Sequence, residues 1–320
     1  MYTNTPKRSM FFIASLSRCF RTWQGQMAYF PKRFGTASLF VAMLIATFNS
    51  PLHAAGFPTV YCDAPGADLQ KAINNGAEGG KIFLTGDCDD GPYFIFGKNI
   101  KLQGWSSTGA TLSGFGSESV LFVRGATVGL RNLTIDADGS GGGISAEGSS
   151  IDIDRVVVQG SSGSGLRIDG SSFAIVVDSE FNNNGEGINQ GEGIVITGSS
   201  NAFLLRNTVQ GNSSRGIVIN LNSSATVDNN TIIGNQVGIL VTKMSSLALH
   251  DNLIENNVDN GVWVADQYGY LTTDGSENTI QGNGTDVACE ARGIFESPVA
   301  QISNTYTTSL FGCTVLGTVF

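Results

Sequence analysis

One histidine and several carboxylates are the residues of this chain that could carry out acid–base chemistry. The sequence has two histidines, and we expect His53 to be lost with a targeting segment, which leaves His250. Asp228 precedes His250 by about 22 residues, one repeat length, so the two side chains are expected to lie side by side. Such a pair can act as a general base, or it can be a surface contact between neighbouring strands. A single histidine excludes a multi-histidine zinc site.

Further carboxylates could supply general acids or ligands for a cation. Asp152 and Asp154 are expected to face outward near Asp136 and Asp138, in an acidic patch that could hold Ca²⁺ through oxygen ligands. Solvated charges on a β-surface are the alternative. Carboxyls about 5 Å apart would suit a retaining glycosidase, and carboxyls about 6.5–9.5 Å apart an inverting one. The candidate acids of a lyase or hydrolase are Asp136, Asp138, Asp152, Asp154, Asp169, Glu186 and Glu192.

A row of outward side chains that ends in a tryptophan predicts a surface on which sugar rings stack. The row comprises Ser145, Arg167, Val195, Val218, Leu240 and Trp263, and Tyr270 follows it closely. The residues predicted to bind substrate are Arg167, Trp263, Asp266 and Tyr268. Packing under a long loop, or against another subunit, is the alternative interpretation of the apolar row.

These residues belong to a repeat. A glycine followed by Ile, Leu or Val recurs from Gly143 to Gly261 every 22 or 23 residues, with one step of 28. A second phrase begins and ends with asparagine and recurs from Asn207 to Asn283. A period in this range predicts units that bury their apolar faces only against their neighbours. The extra residues of the longest step, 185–192, predict a surface loop.

The segments within one period alternate like short strands and place apolar residues in three columns. The first column is Ile144, Leu166, Ile194, Ile217, Ile239 and Val262. The second is Ala146, Ile168, Ile196, Ile219, Val241 and Val264. The third is Ile135, Val158, Phe181, Val209, Ile232, Ile254 and Ile280. Three columns that face one axis predict an all-β fold, a single-stranded parallel β-helix.

Polar residues recur at one turn, which comprises Asp138, Ser161, Asn184, Asn212, Asn235, Asn257 and Asn283. Asparagine adopts the left-handed backbone conformation expected there, and stacked amides can bond from coil to coil. With the Gly-Ile strand, this turn resembles the right-handed parallel β-helix repeat of the pectin-lyase-like superfamily, over roughly residues 60–315. The resemblance implies the fold but not one chemistry, because the superfamily includes lyases, hydrolases, epimerases and non-enzymatic modules.

Several catalytic motifs of that superfamily are missing from the sequence. The G-H-G and R-I-K elements of its polygalacturonan hydrolases do not occur, nor does the D-P-H-D of its alginate epimerases. Lyases of this fold use calcium-binding acids with an Arg or Lys base, a pattern too diffuse to read from one sequence. The sequence therefore leaves open whether the protein is an enzyme.

The chain is predicted to divide into four regions. These are a targeting segment (1–54), an amino-terminal cap with the first coils (55–98), the β-helix (99–285) and a carboxyl-terminal cap (286–320). Leu69, Ala72 and Ile73 share one face of a short helix that stops near Gly76. We expect this helix to cover the open amino end of the stack.

The amino-terminal segment has the order of an export signal. Lys32-Arg33 precede an apolar run from Ala37 to Phe48, and the small residues Ala54-Ala55 follow. The run is too short for a comfortable membrane span, so we expect no membrane insertion after its removal. Met27 would begin a signal of ordinary length. The predicted location is secreted, periplasmic or at the cell surface.

The cysteines of the mature chain are Cys62, Cys88, Cys289 and Cys313, and four cysteines allow three pairings. They form two pairs that are local in sequence, so Cys62–Cys88 and Cys289–Cys313 are the natural assignments in an oxidising compartment. A metal or redox site is the alternative, without support from any C-x-x-C spacing.

The charge balance narrows the class of partner. The chain has 18 basic and 27 acidic residues, a net charge of −9. Six basic and no acidic residues precede residue 55, so the mature chain carries 12 basic and 27 acidic residues, a net charge of −15. Such a surface repels nucleic acids and anionic lipids, and it would repel polyuronates unless cations bridged the two.

These observations together predict an exported β-helix that binds extracellular or envelope polysaccharide along its outer face. A polysaccharide lyase or glycoside hydrolase is the first alternative, and a structural or adhesive envelope module that binds another protein is the second. No cofactor is expected, except that Ca²⁺ could bind the acidic patch.

Overall fold

The computed structural model describes residues 58–105, 109–185, 191–265, 269–272 and 278–289, and the backbone of four short strands beyond. The predicted export signal, its cleavage site and the start at Met27 lie outside the described residues. So do Glu186, Asp266, Tyr268 and Cys313.

The described chain winds into the predicted parallel β-helix, which has three faces. The first two columns both lie on the first face and the third column lies on the third face, whereas the inward residues of the second face were in no predicted column. The first face is a sheet of ten parallel strands. Its strands are Tyr93–Phe96, Ser119–Arg124, Gly142–Glu147, Leu166–Asp169, Ile194–Ile196, Arg215–Ile219, Val237–Val241, Asn260–Val264, Thr285–Cys289 and Leu310–Phe311.

The second and third faces share three long strands that bend from one to the other, Gly80–Gly91, Thr127–Asp136 and Ser150–Gln159. The second face also contains Thr59–Tyr61, Asn99–Gly104, Phe173–Val177, Asn201–Leu205, Ser224–Asp228, Ser246–His250, Tyr270–Thr272, Ile294–Glu296 and Thr314–Leu316. The third also contains Ala110–Gly114, Glu180–Asn182, Thr208–Gln210, Thr231–Ile233, Leu253–Glu255, Thr279–Gln281 and Thr305–Tyr306. The bends fall at Gly86, Asn132 and Arg155, whose φ angles are 78°, 53° and 54°.

The three aliphatic columns are confirmed as the core. Ile217 pairs in register with Ile194 on one side and with Ile239 on the other, and all three are fully buried. Burial of each such side chain contributes about 1.5–3 kcal/mol relative to exposure. Because each coil contributes one residue to each column, the core is continuous along the axis rather than a separate cluster in each repeat.

Stacked asparagines hold the corner between the third and first faces. Asn235 donates from its backbone N and from Nδ2 to Oδ1 of Asn257, at 3.0 and 3.1 Å. Nδ2 of Asn235 also lies 3.2 Å from the carbonyl oxygen of Val209. The same bonds join Asn184, Asn212, Asn235, Asn257 and Asn283 from coil to coil. The predicted amide ladder is therefore present, with Ser161 at its amino end.

The prediction that these asparagines adopt the left-handed conformation is wrong. Positive φ belongs to the preceding residue, as in Gly211 (62°), Gly234 (66°) and Asn256 (55°). The preceding residue reverses the chain at the corner, which lets the next asparagine direct its amide inward to bond the neighbouring coil. Asp138 has a positive φ of 43° itself and is exposed, so it lies outside the ladder.

The recurring glycine of the repeat is explained by its distance from this ladder. A Cβ at Gly216 would lie 2.6 Å from the carbonyl oxygen of Gly238 and 2.9 Å from Nδ2 of Asn235. Any larger residue would push the strand away from the amide column. The two phrases of the repeat are therefore coupled, because the glycine leaves the room that the asparagine amide fills.

The other two corners carry ladders that the sequence analysis did not assign. Asn207, Asn230, Asn252 and Asn278 are bonded in the same way between the second and third faces. Serine hydroxyls accept backbone N–H bonds from the preceding coil between the first and second faces, at Ser172, Ser200, Ser223 and Ser245. Every corner of the coil is therefore held by buried side-chain hydrogen bonds as well as by the strands.

The predicted capping helix is confirmed at Leu69–Asn75. Asp68 caps it by accepting the backbone N–H of Lys71 at 2.7 Å. Gln70 extends to the edge strand of the first face, where its Oε1 accepts the N–H of Phe94 at 2.7 Å and its Nε2 donates to the carbonyl oxygen of Phe94 at 2.9 Å. This side-chain amide thus takes the place of a neighbouring strand.

The predicted Cys62–Cys88 disulfide is present, with a Cα–Cα distance of 4.7 Å. Cys289 is also disulfide-bonded, and its pairing with Cys313 stays a prediction. Within the described part of the chain, the single helix is too short to span a membrane.

Candidate functional site

The outward row of the first face has the predicted register. Arg167 pairs with Ser145 and Val195, and the row continues through Val218 and Leu240 to Trp263. Six consecutive coils therefore present one aligned column of side chains on the outside of this sheet.

The apolar part of the row is largely shielded from solvent although it lies outside the core. Val195, Val218 and Leu240 are 4%, 5% and 8% exposed, and together with Ala265 they form a cluster separate from the interior. Trp263 packs against this cluster and is partly buried. Outward aliphatic side chains so well covered form the floor of a groove rather than a flat sheet surface.

Charged and polar side chains border this first-face groove, which has a volume of about 450 Å³. Arg167, Arg215, Lys243 and Glu192 line it together with Asn220 and Thr242. Arg167 forms an ion pair of 2.7 Å with Asp169, and Arg215 forms one of 3.3 Å with Glu192. The Lys243 ammonium makes no hydrogen bond or ion pair with the described residues.

Glu192 is the most enclosed carboxylate of the groove. Its side chain is 17% exposed and accepts a hydrogen bond from the Ser164 hydroxyl at 3.0 Å, besides pairing with Arg215. Glu192 lies between Ser164 of the preceding coil and Arg215 of the following coil, at the same position of the repeat. Three stacked coils therefore supply these three interacting side chains. Glu192 was predicted as a candidate acid.

Arg215 and Lys243 were not among the site residues predicted from the sequence. Arg215 directly precedes the glycine of its repeat, and Lys243 lies at the turn after the same strand of the next coil. Their regular offset from the repeat was the available signal, because the offset places both at the edges of the first face.

Contrary to expectation, Tyr270 does not extend the outward row that ends in Trp263. Its strand pairs with Ser246–His250 on the second face, because the chain turns a corner after Ala265. Trp263 and Tyr270 therefore point away from different sheets. The predicted contributions of Asp266 and Tyr268 lie outside the described residues.

The prediction that the four aspartates form one acidic patch is wrong. Asp152 lies on the second face between Gly129 and Ile175, whereas Asp136 lies on the third face and accepts a bond from Gln159 at 2.9 Å. The bend at Arg155 divides the strand Ser150–Gln159, so that the half with Asp152 lies on the second face and the half beside Asp136 lies on the third.

The remaining acids of that proposed patch are held by other contacts. Asp154 pairs with Arg131 at 2.8 Å and with Arg155 at 3.1 Å, and Asp138 lies at the exposed corner turn. No cluster of three or more metal-ligating side chains occurs among the described residues.

The Asp228–His250 pair lies on adjacent second-face strands in the expected register. This position is on a different sheet from the groove, so a general-base role for the pair would need a separate site. Of the candidate catalytic acids, Glu192 lines the groove, and Asp169 lies next to it through its ion pair with Arg167.

A column of alternating charge follows the corner beside Asp228 and comprises Arg155, Asp178 and Arg206. The Arg206 guanidinium donates two hydrogen bonds to the Asp178 carboxylate, at 2.7 and 2.9 Å. These bonds, with the nearby charge of Arg155, lower the pKa of Asp178, and the same pairing raises the pKa of Arg206. Both side chains are exposed, which identifies the column as a surface ion pair rather than a catalytic centre.

Comparison with known proteins agrees with this architecture. The family model described as "Right handed beta helix region" matches residues 118–283. No curated protein sequence shows significant similarity to the chain.

Three solved structures share the fold. An alginate lyase from Paenibacillus sp. str. FPU-7 is 18% identical with a TM-score of 0.64, over 80% of this chain and 98% of that one. The pectate lyase Pel9A is 12% identical with a TM-score of 0.62, over 80% and 78%. The A-module of the mannuronan C-5 epimerase AlgE4 from Azotobacter vinelandii is 17% identical with a TM-score of 0.51, over 78% and 83%.

These identities establish a common fold and leave the chemistry to the site itself. The match over more than half of the chain, the three parallel faces and the asparagine ladders lead to one conclusion: the chain belongs to the right-handed β-helix family.

Proposed function

We propose that this protein binds a uronate-containing polysaccharide along the first-face groove. One observation carries the proposal: a covered apolar floor that ends in Trp263 and is bordered by Arg167, Arg215 and Lys243. An aromatic ring with an apolar floor suits the CH faces of sugar rings, and the flanking cations suit their carboxylates.

The charge of the groove differs from that of the whole protein, and this difference supports the substrate class. The mature chain is strongly acidic, whereas the groove contributes three cations against the carboxylates of Asp169 and Glu192. An anionic polymer is therefore repelled by most of the surface and attracted to this face. The fold is shared with an alginate lyase and a pectate lyase, which act on polymers of this kind.

The proposed location is outside the cytoplasm, in the secreted, periplasmic or cell-surface fraction. The Cys62–Cys88 disulfide supports this location, because structural disulfides persist in oxidising compartments. Extracellular and envelope polysaccharides are found in the same compartments.

Lysis of the bound polymer is the second candidate function, and Glu192 is the observation that favours it. This carboxylate lies in the groove beside Arg215, so it could accept the C5 proton of a uronate ring whose own carboxylate Arg215 neutralises. The electron pair of the broken C5–H bond then forms the C4–C5 double bond as the glycosidic C4–O bond breaks, and the leaving oxygen takes a proton from water. We propose that binding itself needs no cofactor, and that calcium would matter only to lysis.

Calorimetric titration of the mature protein with hexagalacturonate and hexamannuronate tests the binding proposal. Trp263→Ala is expected to weaken binding about tenfold, the loss of roughly one stacking contact. Trp105→Ala removes an exposed tryptophan at the amino-terminal end and is the matched control. Lys243→Ala is expected to weaken binding and to reduce its salt dependence, whereas Lys101→Ala on the second face is expected to change neither.

Equal affinities of the Trp263 and Trp105 variants, with folding verified by circular dichroism, would contradict the proposal. Lysis is read separately from ultraviolet absorbance of unsaturated products, with calcium and with a chelator. Glu192→Gln is expected to abolish that absorbance if the second candidate is correct. New reducing ends without absorbance would instead identify a hydrolase.

A further inference from the structure

The second face carries a depression that the proposed function does not use. Phe173 and Phe203 bound it on one side and Tyr270 on the other, with Ser224, Ser246 and Ala248 between them. Its volume is about 500 Å³. We call it the second-face depression.

Stacking of the coils determines the shape of this depression. Phe203 pairs in register with Thr226, and Thr226 with Ala248, so the outward column changes from an aromatic ring to small side chains. In all, three coil-to-coil steps separate the strand of Phe203 from that of Tyr270, a distance of about 14 Å at ~4.8 Å per coil. The small side chains leave an open floor between two aromatic borders.

The aromatic border is exposed to solvent. Phe173 and Phe203 are 38% and 50% exposed, and Ile175 beside them is 39% exposed. The two rings meet edge to face with centroids 5.9 Å apart. A contiguous exposed apolar patch on a soluble protein marks an interaction surface.

The chemistry of the lining identifies the class of ligand. Every described residue that lines the depression is uncharged, in contrast to the arginines, lysine and glutamate of the first-face groove. Hydroxyl and amide groups of Asn201, Ser224, Thr226, Ser246 and Tyr270 accompany the aromatic rings. Such groups donate to and accept from sugar hydroxyls, while the rings pack on sugar CH faces.

We propose that the second-face depression binds a neutral, β-linked oligosaccharide, independently of the first-face groove. A flat sheet surface with aromatic borders fits a flat ribbon of pyranose rings, and the uncharged lining gives no advantage to a uronate. A protein with both sites would join a neutral polymer to an acidic one.

Titration of the mature protein with cellohexaose and with xylohexaose tests this proposal. Phe203→Ala is expected to weaken binding about five- to tenfold. Ala248→Lys places a long charged side chain on the floor and is expected to abolish binding. Phe96→Ala removes a phenylalanine of similar exposure from the first face and serves as the matched control. Saturating hexagalacturonate is not expected to displace the neutral probe.

Four outcomes would overturn the proposal. The first is failure of both neutral hexasaccharides to bind at millimolar concentration, and the second is binding that Phe203→Ala and Ala248→Lys leave unchanged. The third is a concentration-dependent dimer in sedimentation equilibrium that Phe203→Ala dissociates, because a second copy of the chain would then occupy the depression. Displacement of the neutral probe by hexagalacturonate would place it in the first-face groove instead.

Discussion

At the scale of single residues, three turn positions of the repeat adopt positive φ angles and also carry charges of alternating sign. Arg155, Asp178 and Arg206 all have positive φ angles, of 54°, 50° and 54°, at the corner where one face passes into the next. Non-glycine residues adopt this conformation at a cost. Their alternating charges offset part of that cost, because side chains on adjacent coils lie close enough to pair.

The Asp178–Arg206 pair has a measurable titration. In NMR, the pKa of Asp178 is expected to lie below the usual ~3.9 of aspartate and to rise towards it in Arg206→Gln. A folded-state pKa below the unfolded value means that the pair stabilises the protein above about pH 4 and loses that contribution as pH falls through the folded pKa. The contribution is small because both side chains are exposed. An unchanged pKa in Arg206→Gln would show that another group lowers it.

At the scale of the elements, the corner ladders differ from ordinary turns. Most strands are short, and many on the third face contain only three residues. Strands this short define their own register weakly. The buried amides and hydroxyls at all three corners lock one coil against the next, and a slip by one residue would leave every ladder group unpaired.

Asn235→Ala measures the stabilisation that one ladder position supplies. The substitution removes the Nδ2 bonds to Asn257 and Val209, while the backbone N–H of residue 235 still donates to Asn257. It also removes the Oδ1 of Asn235, so the buried backbone N–H of Asn212 loses its acceptor. We expect the free energy of unfolding to fall by about 2–4 kcal/mol, measured by urea denaturation. Gln236→Ala, which removes only an exposed bond to Asp259, is expected to change it by less than about 0.5 kcal/mol. Equal effects of the two variants would show that the ladder is not a major source of stability.

At the scale of the whole molecule, a stack of coils is weakest at its ends, because each coil contacts only its neighbours. The amino end is closed by the helix Leu69–Asn75, by the side-chain bonds of Gln70 to the edge strand and by the Cys62–Cys88 disulfide. These three contacts cover an edge that would otherwise pair with other chains.

The disulfide is expected to stabilise that end selectively. It closes a loop with a sequence separation of 26, and its removal in a Cys62→Ala, Cys88→Ala variant should cost about 3 kcal/mol. Hydrogen exchange should accelerate at the amides of Phe83 and Leu84, next to the cap, and stay unchanged at Ile217 in the middle of the stack. Uniform acceleration throughout would instead indicate that the stack unfolds as one cooperative unit.

The fold was predictable because the same pattern of residues recurs in every coil. A regular coil repeats one glycine, five inward aliphatic residues and two asparagines, as in residues 216–235, so an assignment that is ambiguous in one coil is settled by the next. The inward columns and the outward row from Ser145 to Trp263 followed from counting alone. The left-handed turn positions did not, because placing them one residue earlier required knowing which way the asparagine amide points.

By itself, the sequence determined the parallel β-helix, its core, its amino-terminal cap and the Cys62–Cys88 disulfide, since all of these depend on regular spacing or on local contacts. Only the tertiary structure decided which outward residues share a face. It separated Asp136 from Asp152 and Trp263 from Tyr270, and it brought Glu192, Arg215 and Lys243 to one groove. The physical reason is that a corner turns the chain from one face to the next within one or two residues, so residues close in sequence can point in different directions while residues one coil apart stand side by side.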